Sequence, residues 1–72
     1  MKINFTYEEM TNFLEKHGYI VKKGLESYVT RGYRGEYEID YRNATLVYKE
    51  DKEIGNIESI FEKVYKEKTL NL

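Results

Sequence analysis

The segment that most constrains the fold lies in the middle of the chain, where polar and apolar residues alternate over Glu36–Tyr41. A period of two residues is typical of a β-strand with one buried face. The predicted inward face is apolar and consists of Tyr37, Ile39 and Tyr41. The predicted outward face is acidic and consists of Glu36, Glu38 and Asp40. The dipeptide Arg42-Asn43 favours a two-residue hairpin turn, because Asn tolerates a positive φ.

A second strand is predicted after this turn, over residues 44–49. Ile39 would face Leu46 on the buried face of the hairpin. On the other face Glu36 would meet Lys49, which carries the opposite charge. Both faces agree with one register, and this agreement favours a hairpin between the two strands.

A helix is predicted over residues 7–17. Thr6 and Glu9 have the spacing of a capping box, and Phe5 and Met10 occupy the hydrophobic-staple positions around it. Gly18 follows the helix and adopts a left-handed conformation without penalty. The residues at helical spacing are Tyr7, Met10, Phe13, Leu14 and His17.

A second helix is predicted over residues 57–68, with Asn56 as its N-cap. Its apolar stripe recurs every three or four residues and consists of Ile57, Ile60, Phe61, Val64 and Tyr65. Leu, Ile and Phe at helical spacing in so small a domain predict core packing.

The remaining segments connect these elements. Residues 19–31 predict one long bent strand, or two short strands broken at Lys23-Gly24. Residues 30–35 contain two glycines and predict a loop that leads into the central strand as another hairpin, whose register the sequence leaves open. Residues 50–56 are predicted to be a polar connection.

These elements together predict an α+β fold, a two-layer αβββα arrangement in one domain over residues 1–72. Both helices would pack on one face of a three-stranded antiparallel meander, because each helix and the hairpin offer one apolar face. The other sheet face would be open to solvent, and its residues would be Glu26, Tyr28, Thr30, Glu36, Glu38, Asp40, Thr45, Val47 and Lys49.

Composition excludes several classes of protein. The 72 residues include no Cys, which excludes disulfides, a thiolate nucleophile and Cys-based zinc sites. The net charge is −1, whereas nucleic-acid-binding domains usually carry a basic excess. No apolar run is long enough for a membrane span, and residues 1–10 lack the features of a secretion signal. We therefore expect a cytoplasmic protein without membrane association.

Catalytic motifs are missing from the sequence. His17 is the single histidine, and its place in the last turn of a predicted helix suits the helix dipole. Ser27 and Ser59 lie in no nucleophile motif. The spacing of Gly32 and Gly35 does not match a phosphate-binding loop. We expect neither enzymatic activity nor a cofactor.

The element order α-β-β-β-α over about 70 residues resembles that of the double-stranded RNA-binding domain, and the resemblance spans nearly the whole chain in order alone. That family contacts RNA through its first helix, a loop between two strands and a lysine cluster that opens its second helix. The basic loop here is Arg31-Gly32-Tyr33-Arg34, while Glu53, Asn56 and Glu58 lie where the lysine cluster would be. Nucleic-acid binding is thus an alternative function that the resemblance implies.

Two candidate binding surfaces remain. The first is a predicted hairpin tip with Arg31, Tyr33 and Arg34, in which guanidinium groups flank a ring; such a group suits a protein hot spot or a stacked base. It could equally be a solvated tip. Tyr28 is a further candidate, since eight Tyr residues exceed the needs of such a core.

The second candidate surface is the acidic sheet face of Glu36, Glu38 and Asp40. It is either a solvated face or a patch that binds a basic protein. The spacing of these carboxylates along one strand is too wide for a compact metal cage. We therefore predict a non-enzymatic protein–protein interaction module, an adaptor or an inhibitor. A homodimer formed through an uncovered sheet or strand edge is a third possibility.

Overall fold

The computed structural model describes residues 3–23, 29–35 and 37–70. Within them the chain forms six strands and two helices. In chain order these are β1 (Ile3–Phe5), α1 (Tyr7–Lys16), β2 (Ile20–Lys22), β3 (Thr30–Arg34), β4 (Tyr37–Tyr41), β5 (Leu46–Lys49), β6 (Lys52–Asn56) and α2 (Ile57–Leu70). The α+β class predicted from the sequence is confirmed.

The described strands form two sheets, so the prediction of a single three-stranded meander is wrong. In the first sheet β4 is central, with β1 parallel to it on one side and β3 antiparallel on the other. In the second sheet β5 is central and pairs antiparallel with β2 and β6. The observed element order therefore differs from the αβββα order on which the resemblance to the RNA-binding domain depends.

The predicted hairpin between the strands at 36–41 and 44–49 is also wrong, because β4 and β5 belong to different sheets. A turn does lie between them, but it is not the predicted Arg42-Asn43 turn: the Thr45 amide donates to the Arg42 carbonyl at 3.3 Å, which makes Asn43 and Ala44 the central residues, and the positive φ, 62°, is at Ala44. After this turn, the residues that face inward are the ones that were predicted to face outward. Thr45 and Val47 are completely buried rather than exposed. Alternation predicted that strands were present but did not identify their partners.

Helix α1 begins and ends as predicted from local sequence. The Glu9 amide donates to the Thr6 hydroxyl at 3.1 Å, and the Thr6 amide donates to the Glu9 carboxylate at 2.8 Å, which completes the capping box. At the other end Gly18 has a φ of 92°, and the Tyr19 amide donates to the Leu14 carbonyl at 3.0 Å. These features form a Schellman motif, which satisfies carbonyls at the helix end.

Helix α2 contributes half of the buried core, as its apolar stripe predicts. The buried hydrophobic residues are Met10, Leu14, Ile39, Val47, Ile57, Ile60, Phe61 and Val64. An aromatic cluster adjoins this core, with ring centroids 4.9 to 5.6 Å apart, and consists of Phe5, Phe13, Tyr37, Phe61 and Tyr65. This cluster joins β1 and β4 to both helices.

Two segments predicted to be irregular are strands. Residues 30–34 form β3 instead of a loop. Most of the predicted polar connection at 50–56 forms β6, which follows a tight turn in which Glu50 and Asp51 have φ values of 52° and 65°. Two consecutive positive φ values in a two-residue turn define type I′, which usually takes Asn or Gly. Ile54 has no partner in the β5 ladder and forms a bulge.

The break predicted near Lys23-Gly24 agrees with the separation of β2 from β3, which lie in different sheets. Of the residues predicted there, Glu26 and Tyr28 lie outside the described part of the chain.

Candidate functional site

The candidate site is built on the first sheet by the ladder between β3 and β4. The two strands are antiparallel. Their register places Arg34 opposite Tyr37, Tyr33 opposite Glu38 and Arg31 opposite Asp40. On the other side of β4, the parallel strand β1 places Asn4 opposite Glu38. Residues paired in this way share a face of the sheet. We call this surface the outer face and define it as Asn4, Arg31, Tyr33, Glu38 and Asp40.

The opposite face of the same sheet carries the contacts to the core. Ile39 is 1% exposed there and belongs to the buried cluster with both helices. Its partner in the ladder is Gly32, where an added Cβ would lie 3.1 Å from Cε1 of Tyr41. The ring of Tyr41 therefore occupies the space that a side chain at position 32 would need.

An ion pair fixes the centre of the outer face. The Arg31 guanidinium donates from Nε to Oδ1 of Asp40 at 2.9 Å and from Nη2 to Oδ2 at 3.4 Å. Nε of Arg31 also lies 3.6 Å from Oε1 of Glu38. The hydrogen bond from Arg31 and its positive charge hold the pKa of Asp40 below its usual range, although burial opposes this shift. The same pairing raises the pKa of Arg31.

Asn4 extends this polar network to the edge strand β1. Its amide nitrogen donates to Oε1 of Glu38 at 3.0 Å and to the Glu38 carbonyl at 3.4 Å. Sequence reasoning missed Asn4, because three residues before a helix gave no signal for a parallel strand. The network spans all three strands of this sheet, so the polar side chains of the outer face hold one another in place.

The structure changes the grouping of the predicted site residues. Arg31, Tyr33, Glu38 and Asp40 were assigned to two separate surfaces, and the structure brings them together on one. Arg34 pairs with Tyr37 on the opposite face and is half-buried, so it does not share a face of the sheet with Arg31 and Tyr33. Tyr28 and Glu36 lie outside the described residues.

The charges of the outer face also differ from the predicted acidic patch. Arg31 neutralises one of the two carboxylates, and the side chains of Glu38 and Asp40 are only 24% and 17% exposed. Tyr33 is 59% exposed and is the most exposed large apolar residue among those described. The result is a mixed surface of net charge −1, with an aromatic ring beside an ion pair.

An open groove lies next to this surface, where α1 begins and β4 ends. Its volume is about 420 Å³, and its lining includes Thr6, Lys23, Asp40 and Arg42. The described residues hold no group of three or more His, Asp or Glu arranged to bind a metal ion. No helix within 3–23, 29–35 and 37–70 is long and apolar enough to cross a bilayer.

Comparison with protein-family models, with curated proteins and with solved structures gives no match to this chain.

Proposed function

We propose that this chain is a small non-enzymatic protein-interaction module, an adaptor or an inhibitor, that binds a partner protein through its outer face. The observation that carries this proposal is an exposed tyrosine beside a hydrogen-bonded ion pair on a sheet face turned away from the core. Tyr and Arg are enriched among the residues that dominate binding energy at protein interfaces. A cytoplasmic location belongs to the same proposal and agrees with a chain that has no Cys.

The fixed geometry of the outer face favours a binding role. The hydrogen bonds from Arg31 to Asp40 and from Asn4 to Glu38 already order four polar side chains. Ordering a mobile side chain on binding costs roughly 0.5–1.5 kcal/mol, and a surface that is ordered beforehand avoids part of this cost. Tyr33 adds a large apolar area with few rotatable bonds.

The charge of the outer face favours a basic partner. Two carboxylates face one guanidinium, and the excess is negative. Nε and Nη2 of Arg31 both donate to Asp40, so a phosphate would have to compete with a carboxylate for these donors. This competition makes nucleic acid the weaker candidate.

The experiment is affinity capture of the tagged chain from a lysate of its source organism, with and without nuclease. A captured basic protein that survives nuclease treatment supports the proposal. Its purified form should bind more weakly as salt rises, since exposed charges are screened. Capture of nucleic acid alone, lost after nuclease, would overturn the proposal in favour of nucleic-acid binding.

A matched pair of charge reversals localises the binding. Glu38→Lys changes the outer face, whereas Glu67→Lys makes the same change on α2, where the side chain is 59% exposed. We expect Glu38→Lys to weaken binding of the basic partner by about tenfold or more, as for a residue near the centre of an interface. Glu67→Lys should leave affinity unchanged. Equal effects of the two variants would show that binding depends on net charge and not on the outer face.

A further inference from the structure

The described strands leave four sheet edges, and these edges differ in how well they accept another strand. Strands β1 and β2 have three residues each. Strand β6 is interrupted by the bulge at Ile54. Short strands and bulges protect an edge against pairing with another chain. Strand β3 has five residues in an uninterrupted register, so it is the most regular described edge.

The direction of the backbone groups of β3 follows from its ladder with β4. Arg34 and Tyr37 are the last partners in the ladder and are separated by only two residues in sequence, which makes them a hydrogen-bonded pair; such pairs alternate along antiparallel strands. The backbone of Gly32 therefore bonds toward Ile39, and the amides and carbonyls of Arg31 and Tyr33 are directed away from β4.

We propose that β3 pairs antiparallel with β3 of a second copy of this chain, about a two-fold axis through Gly32. In this register Arg31 lies opposite Tyr33 of the second copy, and each pair exchanges two backbone hydrogen bonds. The two Gly32 residues meet on the axis as a non-hydrogen-bonded pair, in which backbones approach most closely. The absence of a Cβ at position 32 suits this approach.

In this register, exposed apolar side chains at the β3 edge of one copy lie next to exposed apolar side chains of the other copy. Val29 directly precedes β3 and is 49% exposed, and Tyr33 near its other end is 59% exposed. The two-fold axis brings Tyr33 of one copy diagonally across from Val29 of the other, within reach of an aromatic ring. The contact between Tyr33 and Val29 thus occurs twice in the dimer, once on each side of the axis, and each contact buries apolar surface.

The charge on β3 selects this register over its neighbours. The side chain of Arg31 is 61% exposed, although its guanidinium is hydrogen-bonded to Asp40. The planar guanidinium can therefore stack on the ring of Tyr33 of the second copy. A shift of the axis by one residue toward Arg31 would place two Arg31 side chains opposite each other, which is unfavourable. The other neighbouring shift places Arg31 opposite Gly35 and leaves it only diagonal to Tyr33 of the second copy.

This dimer uses Tyr33 and Arg31 of the outer face, but its test is independent of the proposed partner. A two-fold axis perpendicular to the sheet keeps both outer faces on the same side, so the dimer would present them as one continuous surface of six strands. Purified protein alone tests the dimer, and the result does not depend on whether any partner is captured.

The experiment is sedimentation equilibrium of the full chain over a range of concentrations. We expect a mass that rises with concentration from 8.7 kDa toward twice that value. Tyr33→Lys places a like charge against Arg31 at two symmetric contacts, so the dimer should be weakened about tenfold or more. Tyr33→Phe keeps the ring and should retain the dimer.

Ile54→Lys is the matched control, because Ile54 is an exposed apolar residue, 41% exposed, on the bulged edge. It should leave the dimer unchanged. If Tyr33→Lys fails to fold, as judged by circular dichroism, Val29→Lys tests the same contact from its other side. A chain that stays monomeric at millimolar concentration overturns the proposal, as does a dimer that both lysine variants leave intact or that Ile54→Lys alone abolishes.

Discussion

The turn between β5 and β6 gives a prediction whose size can be worked out from the backbone. Glu50 and Asp51 both lie in the left-handed region, with φ values of 52° and 65°. A left-handed conformation costs an ordinary L-residue roughly 1–2 kcal/mol, and Asp less because its side chain bonds locally. Asn and Gly are the residues that a type I′ turn prefers. We therefore expect the double variant Glu50→Asn/Asp51→Gly to stabilise the fold.

Two opposing contributions set the magnitude. Asn at position 50 should recover about 0.5–1 kcal/mol of the left-handed cost. Gly at position 51 removes strain but adds roughly 0.4–1 kcal/mol of unfolded-state entropy, so its net gain is smaller. Together we expect an increase of about 0.5–1.5 kcal/mol in the free energy of unfolding. In a domain of this size, that corresponds to a rise in Tm of roughly 2–12 °C.

The assay is urea unfolding followed by far-ultraviolet circular dichroism, with a thermal melt as a second measure. The double variant also removes two negative charges, so Glu50→Gln/Asp51→Ser is the control that removes the same two charges without introducing Asn or Gly. A double variant no more stable than this control would refute the reasoning. It would mean that the turn does not hold Glu50 and Asp51 in the left-handed region.

Three further variants test the core, the bulge and the ion pair. Phe61→Ala should lower the free energy of unfolding by about 3–5 kcal/mol, because the ring is 1% exposed; an unchanged urea midpoint would show that the core lies elsewhere. Gly55→Ala should also destabilise, since φ is 150° and the new Cβ would lie 3.1 Å from Cδ1 of Ile60; a melt equal to that of wild type would contradict this. Asp40→Asn should lower stability near neutral pH, where Asp40 is charged and bonded to Arg31. Because the pKa of Asp40 is lowered from 3.8, the stability of the ion pair is present above that value and lost as pH falls through the folded pKa. The stabilities of wild type and Asp40→Asn should therefore converge as the pH falls, and a gap that stays as wide in acid as at neutral pH would exclude this linkage.

The helices could be predicted from the sequence because their signals are local. The capping box of Thr6 and Glu9 and the stripe of Ile57 and Phe61 lie within one or two helical turns. The strands could be recognised at β4 and β5 but not paired, because alternation does not select between partners. Thr45 and Val47 were predicted to be exposed but are buried, because the chain continues after the turn into a different sheet.

The candidate site was recovered only in part for the same reason. A two-residue turn after Arg34 would have placed Arg31 opposite Asp40 by counting along the strands, and this signal was available in Gly35. The strand β6 gave no comparable signal, since Glu50 and Asp51 are not the residues that usually mark a type I′ turn. Asn4 depends on a partner far along the chain, which no local pattern indicates.

The parallel pairing of β1 with β4 has a consequence for how the molecule assembles. Asn4 and Glu38 are 34 positions apart in the chain, whereas Arg31 and Asp40 are nine apart. Closing the longer loop costs more chain entropy, and contacts distant in sequence slow folding. We expect the β3–β4 hairpin to form in the folding transition state and β1 to dock afterwards, with φ-values near zero at Asn4 and higher values across the hairpin. The outer face would then be completed late in folding, when β1 docks on the hairpin that β3 and β4 have already formed.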